Sequence, residues 1–391
     1  MKTVVILSHV TFDNSPYCIY VHEHAKALVK QGYHVVVFAI IHWFPILSHF
    51  QKYKKNFMKK MKGKQGSQII DGVEVIYKKA MSFSNFLYNT KINLNGMLYY
   101  DSIKHYFKKI NKKENIVLID AQTFKVEGYV AYKLKRKYKN VTTLVTLHGT
   151  SFFRNTETKE GIKSIRKILN NVDYSICVSN KIQTIAKKIG VRNTRIIYNG
   201  INDQKLEKVN KNDYKYNIIS VGSLITKKKH DITINAISQL AKKYPQIKLN
   251  IVGTGNEANN LKDIVEKNKL EQIVCFKGQI TNREVQEFIN KSYIFLLPSI
   301  NEGFGIVYAE AMKVGTITIG TKNEGIDGFI KNGENGFLVN PNINEIVNLI
   351  DDIYSNKYDL EKIRKNAYQD VSQLTWDNNA KKYLEILENH N

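Results

Sequence analysis

Asn301–Met312 reads NEGFGIVYAEAM. Two glutamates, Glu302 and Glu310, stand eight residues apart in it, with Gly303-Phe304-Gly305 between them. The apolar run Tyr293–Leu297 precedes, closed by Pro298-Ser299. The layout is strand, glycine-bearing loop, helix. A helix opening near Gly305 and Ile306 turns unpaired N–H groups and the positive end of its dipole toward an anion. Glycine lets the backbone come close to that ligand. Glu302 falls in the loop at the helix mouth; Glu310 falls about a turn and a half inside, at about 3.6 residues per turn. Carboxylates on either side of an anion site suit a ligand with hydroxyl groups flanking a diphosphate. The same residues also read as an acidic first turn that suits the dipole, plus one solvated helix glutamate. Context has to choose between the two.

Outward from this stretch, short β-rich runs alternate with helical ones. Val4–Leu7, Val35–Phe38, Ile116–Ile119, Thr143–Leu147 and Tyr174–Val178 read as buried strands in the first half. Ile218–Val221, Leu249–Val252, Ile273–Phe276, Tyr293–Leu297 and Thr316–Ile319 do so in the second. Tyr20–Gln31 has helical spacing and stops at Gly32; the segments near 231–243, 256–268, 281–291 and 305–313 are helical too. Such alternation implies parallel sheets covered on both faces. The fold class is α/β, with two Rossmann-like domains facing across a cleft. The boundaries are 1–201 and 217–391, with the lysine- and asparagine-rich segment 202–216 as a hinge. The last helix is expected to pack back on the N-terminal domain. Ligands of such sheets lie at the carboxyl ends of the strands, where the motif loops fall.

A chain of 391 residues exceeds what one core usually holds, and 43% hydrophobic with 11% aromatic residues suits a globular protein. No uncharged apolar run reaches the ~18 residues of a membrane span. MKTVVILS reads as a first strand rather than a signal peptide. Cys18, Cys177 and Cys275 are odd in number, far apart and mostly in apolar segments. They read as buried thiols of a reducing compartment, not as disulfides or metal ligands.

The charge is uneven. Residues 1–200 hold 34 basic and 11 acidic residues, net +23; the remainder holds 25 and 24, net +1. No acidic residue lies between Glu23 and Asp71, and Gln51–Lys64 holds seven lysines, Lys54, Lys55, Lys59 and Lys60 among them. This cluster follows the apolar patch Trp43-Phe44-Pro45-Ile46-Leu47. An apolar anchor beside lysines suits an anionic membrane surface. The plainer reading is a solvated basic loop. Nucleic acid is not the expected partner, because no nucleic-acid module is present. The expected location is cytoplasmic, peripheral to the inner face of the cell membrane.

The block from Pro298 to Val339, with its two glutamates, the AEAM run, the strand Thr316–Ile319, Gly325 and the closing NGFLV, resembles the signature of glycosyltransferase family 4. The resemblance covers most of the chain, and the run IYVHEHAKALVKQGYHVVV is similar to members acting in bacterial surface-polysaccharide assembly. It implies the GT-B architecture. It also implies retaining hexosyl transfer from a nucleotide-diphosphate sugar to a glycan or lipid-linked acceptor, with no cofactor and no metal required. On this resemblance the C-terminal domain holds the donor and the N-terminal domain the acceptor.

Residue by residue, the resemblance places Glu302 on the transferred sugar and Glu310 on the ribose. Gly303, Phe304, Gly305 and Ile306 form the helix mouth. SVGSLITKKKHD, residues 220–231, matches the first donor loop, with Gly222 approaching phosphate and Lys228 contacting the diphosphate. Ser223 stands where the family often has arginine, which leaves one charge fewer there. Gly253 belongs to the next glycine loop, and Ile280 ends the segment that lines the base. His148, in LHGT at a strand end, matches a histidine near the reacting sugar, although a lone histidine is more often structural. Two other classes remain beside this one: a sugar-nucleotide epimerase of the same architecture, and a catalytically weak partner subunit.

Overall fold

In the first half, the runs Val4–Leu7 and Val35–Ile41 have almost no solvent exposure, which is what a parallel sheet covered on both faces demands. The structure, a computed structural model, describes residues 1–8, 19–43, 66–81, 93–202 and 206–388. Lys54, Lys55, Lys59, Lys60, Cys18 and the patch 44–47 lie outside the described residues.

Among the described residues, eight strands form the first sheet: β1 (Lys2–Ser8), β2 (His34–Trp43), β3 (Gly66–Ile70), β4 (Val73–Met81), β5 (Asn115–Ala121), β6 (Thr142–Leu147), β7 (Tyr174–Cys177) and β8 (Thr194–Ile196). Their order is β3-β4-β2-β1-β5-β6-β7-β8, and all neighbours are parallel except β3 and β4. That hairpin was absent from the sequence reading, although its signal is there. Asp71-Gly72 joins Ile70 to Val73 with both φ angles positive, 50° and 79°. An Asp-Gly pair between apolar residues is the turn that matches strand twist. Trp43, the first residue of the apolar patch, ends β2. The 20-residue helix Leu94–Lys113 was also absent from that reading; it buries Gly96, Tyr99, Ile103 and Phe107 at helical spacing.

The second sheet has six parallel strands: β9 (Asn217–Val221), β10 (Lys248–Val252), β11 (Val274–Gly278), β12 (Ile294–Leu296), β13 (Ile317–Thr321) and β14 (Phe337–Val339), in the order β11-β10-β9-β12-β13-β14. Ile218, Leu249, Ile251, Ile294, Leu296, Ile317 and Ile319 build its core. The chain divides into two units; β9–β14 lie in the second, and the final helix Trp376–Glu388 belongs to the first.

Segment 206–216 belongs to the second unit. Lys211 in it donates to the carbonyl of Asn290 at 2.6 Å and to the Thr316 hydroxyl at 2.9 Å. Burial, then the nearby Arg364 charge, lowers its ammonium to about 7. Of the cysteines, Cys177 is buried, and burial pushes its thiol up to about 12. Cys275 is exposed, contrary to the expectation of buried thiols. The reason is position: β11 is the sheet edge, and Cys275 alternates outward from buried Val274.

Candidate active site

In the second unit the chain runs from β9 outward to β10 and β11, then returns past β9 to β12 and onward to β13 and β14. The strand order therefore reverses between β9 and β12, and the carboxyl ends at such a reversal leave a crevice for ligands. The loops that follow these two strands hold Lys228 and Glu302. They are tied directly: Ile300 donates its N–H to the carbonyl of Lys227 at 2.8 Å.

On the β9 side, Gly222 donates to the carbonyl of Val252 at 2.9 Å. The stem of Lys228 folds over Gly222; a Cβ there would meet Lys228 Cδ and Cε at 3.4 Å. Gly253, after β10, has φ +138°, and a Cβ on it would stand 2.0 Å from the Gly222 carbonyl oxygen. Only glycine permits that approach. Ser223 beside it is half-buried. Beneath the loop, His230 Nδ1 lies 3.1 Å from Ser220 Oγ, and burial, then the Lys228 charge, drops the imidazole to about 4. It is a neutral prop at neutral pH.

On the β12 side, the eight-residue helix Ile306–Lys313 begins after Gly305, whose φ of 80° lies in the left-handed region. A Cβ on Gly305 would collide with the Tyr308 ring at 2.5 Å. The Tyr308 hydroxyl is buried, 2.6 Å from the Leu297 carbonyl and 2.8 Å from Ser299 Oγ, and so pins the loop to the end of its strand. Gly303 and Phe304 are buried, and the Phe304 ring packs edge-on against Phe329. Phe304 thus gives the core a ring, and leaves only its backbone to the loop. Ile306 is half-buried at the helix mouth.

The structure brings Lys228 and Glu302 together as an ion pair whose side chains are 14% and 15% exposed. Burial alone would push the Glu302 carboxyl up. The Lys228 charge and hydrogen bond, with Lys227 and the Gly303 N–H adding, hold it below the ordinary carboxylate value. Burial lowers the Lys227 ammonium, partly offset by Glu302. Glu310 lies inside the helix and accepts from Gln286 Nε2 at 3.2 Å. Burial raises its carboxyl to about 7, although part of the residue's surface meets solvent.

Ile280 is half-buried after β11, just before the capped helix Asn282–Asn290. His148 belongs to the other unit, at the end of β6. Its Nε2 lies 3.0 Å from Gln122 Oε1, and its ring rests 4.3 Å from that of Tyr20.

The sequence reading missed two residues of the site. Gln286 gives no motif signal. Glu324 stands within the block Pro298–Val339; its Oε2 accepts the backbone N–H of Glu302 at 3.1 Å. Its signal is the same as that of Glu302: an acid beside a glycine just after a strand.

Comparison with known proteins yields two family matches. The profile described as "Glycosyltransferase Family 4" matches residues 19–205, and the one described as "Glycosyl transferases group 1" matches residues 201–370. An uncharacterized glycosyltransferase of Methanocaldococcus jannaschii is 27% identical over 271 residues, 69% of this chain and 74% of that one. The putative colanic acid biosynthesis glycosyltransferase WcaL of Salmonella typhimurium is 31% identical over 131 residues, 32% of each chain. Among solved structures, HepE of Anabaena in complex with UDP superposes with a TM-score of 0.75 at 18% identity, covering 100% of both chains. That likeness is one of fold.

Proposed function

Because the chain belongs to glycosyltransferase family 4, we propose that it moves a hexosyl group from a nucleotide-diphosphate sugar to a glycan or lipid-linked acceptor, with retention at the anomeric carbon. The observation that carries this reading is the Lys228–Glu302 pair, seated where the strand order reverses between β9 and β12 and beside the helix mouth at Gly305. The donor diphosphate would lie against Lys228, the Gly222 loop and the first amides of the helix Ile306–Lys313. Glu302 would bind the transferred sugar and Glu310 the ribose. The UDP held by HepE, of like fold, supports a nucleotide-linked donor. A cell-surface polysaccharide as product draws support from the relative WcaL.

In the transfer, the bond between the anomeric carbon and the leaving phosphate oxygen breaks. The acceptor oxygen bonds to that carbon from the same face, and its proton passes to the leaving phosphate. Lys228 and the helix amides stabilise the charge that develops there, an effect of ~3–4 kcal/mol per well-placed donor. The scheme calls on these groups rather than on a metal. His148 would act on the acceptor side, near the reacting sugar.

We further propose that the basic first half docks on an anionic membrane surface, where a lipid-linked acceptor would be met. Among the described residues, no helix is long and apolar enough to cross a membrane.

The test is a thermal-shift screen against UDP-glucose, UDP-galactose, UDP-N-acetylglucosamine and GDP-mannose, with Glu310→Ala beside the native chain. A donor at 100 times its Kd adds about 2.7 kcal/mol of apparent stability. One donor should raise the native Tm, and Glu310→Ala should lose most of that rise. A flat response to every donor would sink the reading.

A further inference from the structure

A third carboxylate closes on the loop that carries Glu302. Glu324 sits in the loop after β13 and is 9% exposed. Its Oε2 accepts the Glu302 N–H at 3.1 Å and lies 2.7 Å from Lys181 Nζ, a residue grouped with the same unit. Its neighbour Gly325 fits so closely that a Cβ would stand 2.2 Å from the Gly303 carbonyl oxygen and 2.7 Å from that of Glu302. The loop after β13 therefore holds the loop after β12 at two points, one polar and one steric.

The held loop has a reason to need holding. Asn301, immediately before Glu302, has φ 54°, in the left-handed region. Asparagine enters that region more readily than other side chains, and the contacts around it keep the turn there. Satisfying one N–H requires no charge, since a neutral amide or a water accepts as well. The charge of Glu324 answers Lys181 Nζ, 2.7 Å from the same oxygen, while its acceptor oxygen is what ties down the Glu302 N–H.

We propose that Glu324 is a positioning residue for sugar transfer: it fixes the Glu302 backbone so that the Glu302 carboxylate meets the transferred sugar in one orientation. The inference rests on the reading of Glu302 as the sugar-binding carboxylate. Glu324 touches neither the sugar nor the diphosphate. Its loss leaves the donor bound through Lys228 and Glu310 and lets the reacting group wander. A displacement of about 1 Å at such a point costs about 100-fold in rate.

The test compares the full native chain with Glu324→Ala and Glu324→Gln. Glutamine keeps an acceptor oxygen for the Glu302 N–H without the charge. Two measurements are made: hydrolysis and calorimetric binding of whichever of the four sugar nucleotides gives the largest thermal shift, and hydrogen exchange of the peptide spanning residues 299–305. Glu324→Ala should lower turnover about 100-fold with donor Kd within about 3-fold, and should speed exchange. Glu324→Gln should recover most of both. Turnover of Glu324→Ala within about 3-fold of native, or a loss in Glu324→Gln as large as in alanine, overturns the proposal. Exchange judges the positioning independently of the donor. If the native chain hydrolyses none of the four, the functional reading fails, while unchanged exchange in Glu324→Ala separately sinks the role of Glu324. Faster exchange, restored by glutamine, sustains the hold on the Glu302 backbone.

Discussion

Gln286 donates an amide N–H to the Glu310 carboxylate at 3.2 Å, from the helix Asn282–Asn290 to the helix Ile306–Lys313. One neutral hydrogen bond does not offset the burial, and the carboxyl rises from 4.5 to about 7. The folded state therefore binds this proton more tightly than the unfolded chain. The stability it contributes is complete below about pH 4.5 and is lost as pH rises through about 7. Relative to Glu310→Gln, the native chain should lose on the order of 2 kcal/mol across that window, a figure reduced for the solvent Glu310 still meets. Urea unfolding of both proteins from pH 4.5 to pH 8 checks this. Parallel stability curves would place the carboxyl at its ordinary value.

Glu302→Gln should lower turnover more than donor affinity. Glu302 faces Lys228 in the loop proposed to meet the transferred sugar, and interactions that strengthen as charge develops act on the rate rather than on binding. Steady-state kinetics with the cognate sugar nucleotide decides. A rise in KM at unchanged kcat would assign Glu302 to ground-state binding alone.

Lys229 has φ 56° and ψ 36°, between the turn Thr226–Lys228 and the helix His230–Ala241. A side chain in this region costs about 1–2 kcal/mol, part of which glycine returns as unfolded-chain entropy. Lys229→Gly should stabilise the protein by about 0.5–1 kcal/mol, while Lys229→Ala, still carrying a Cβ, should not. The shift in denaturant midpoint measures both. Equal effects from the two variants would mean the gain comes from removing the charge.

Neutralising Lys54, Lys55, Lys59 and Lys60 together should release the protein from anionic vesicles and spare transfer to a soluble acceptor analogue. Each lysine near an anionic surface is worth about 1 kcal/mol. Salt should weaken binding, because exposed charges are screened over about 8 Å at physiological ionic strength. Co-sedimentation of the native and fourfold-substituted chains is the measurement. Equal binding to neutral and anionic vesicles would show that the lysines serve another purpose.

The second half is legible in the sequence almost strand by strand, because its strands are mostly apolar runs such as Tyr293–Leu297 and the loops between them carry glycines. Glu302, Lys228 and Gly222 were legible for the same reason: each stands just after such a run. The hairpin at Asp71-Gly72 is hard to read because β4, Val73–Met81, mixes lysine and glutamate with apolar residues, and its partner β3, Gly66–Ile70, is a short edge strand with little burial. Glu324 and Gln286 were not picked out. What makes them part of the site is a partner 22 or 24 residues away, and no local pattern encodes a contact across two elements.

The final helix Trp376–Glu388 completes a unit whose other strands come from the first 200 residues. Gly200 lies so near Trp376 that a Cβ would stand 2.6 Å from its ring. Asn379 donates to the Tyr198 carbonyl at 2.8 Å and lies 2.7 Å from His24 Nδ1. The Tyr383 hydroxyl meets that of Thr146 at 2.8 Å. On the ribosome, β1 to β8 therefore emerge with His24 and Thr146 uncovered. They stay so while β9 to β14, an uninterrupted stretch, are made. Domains usually finish in the order in which they are synthesised. Here the unit begun first is closed last, by a helix that leaves the exit tunnel after every strand of the second sheet.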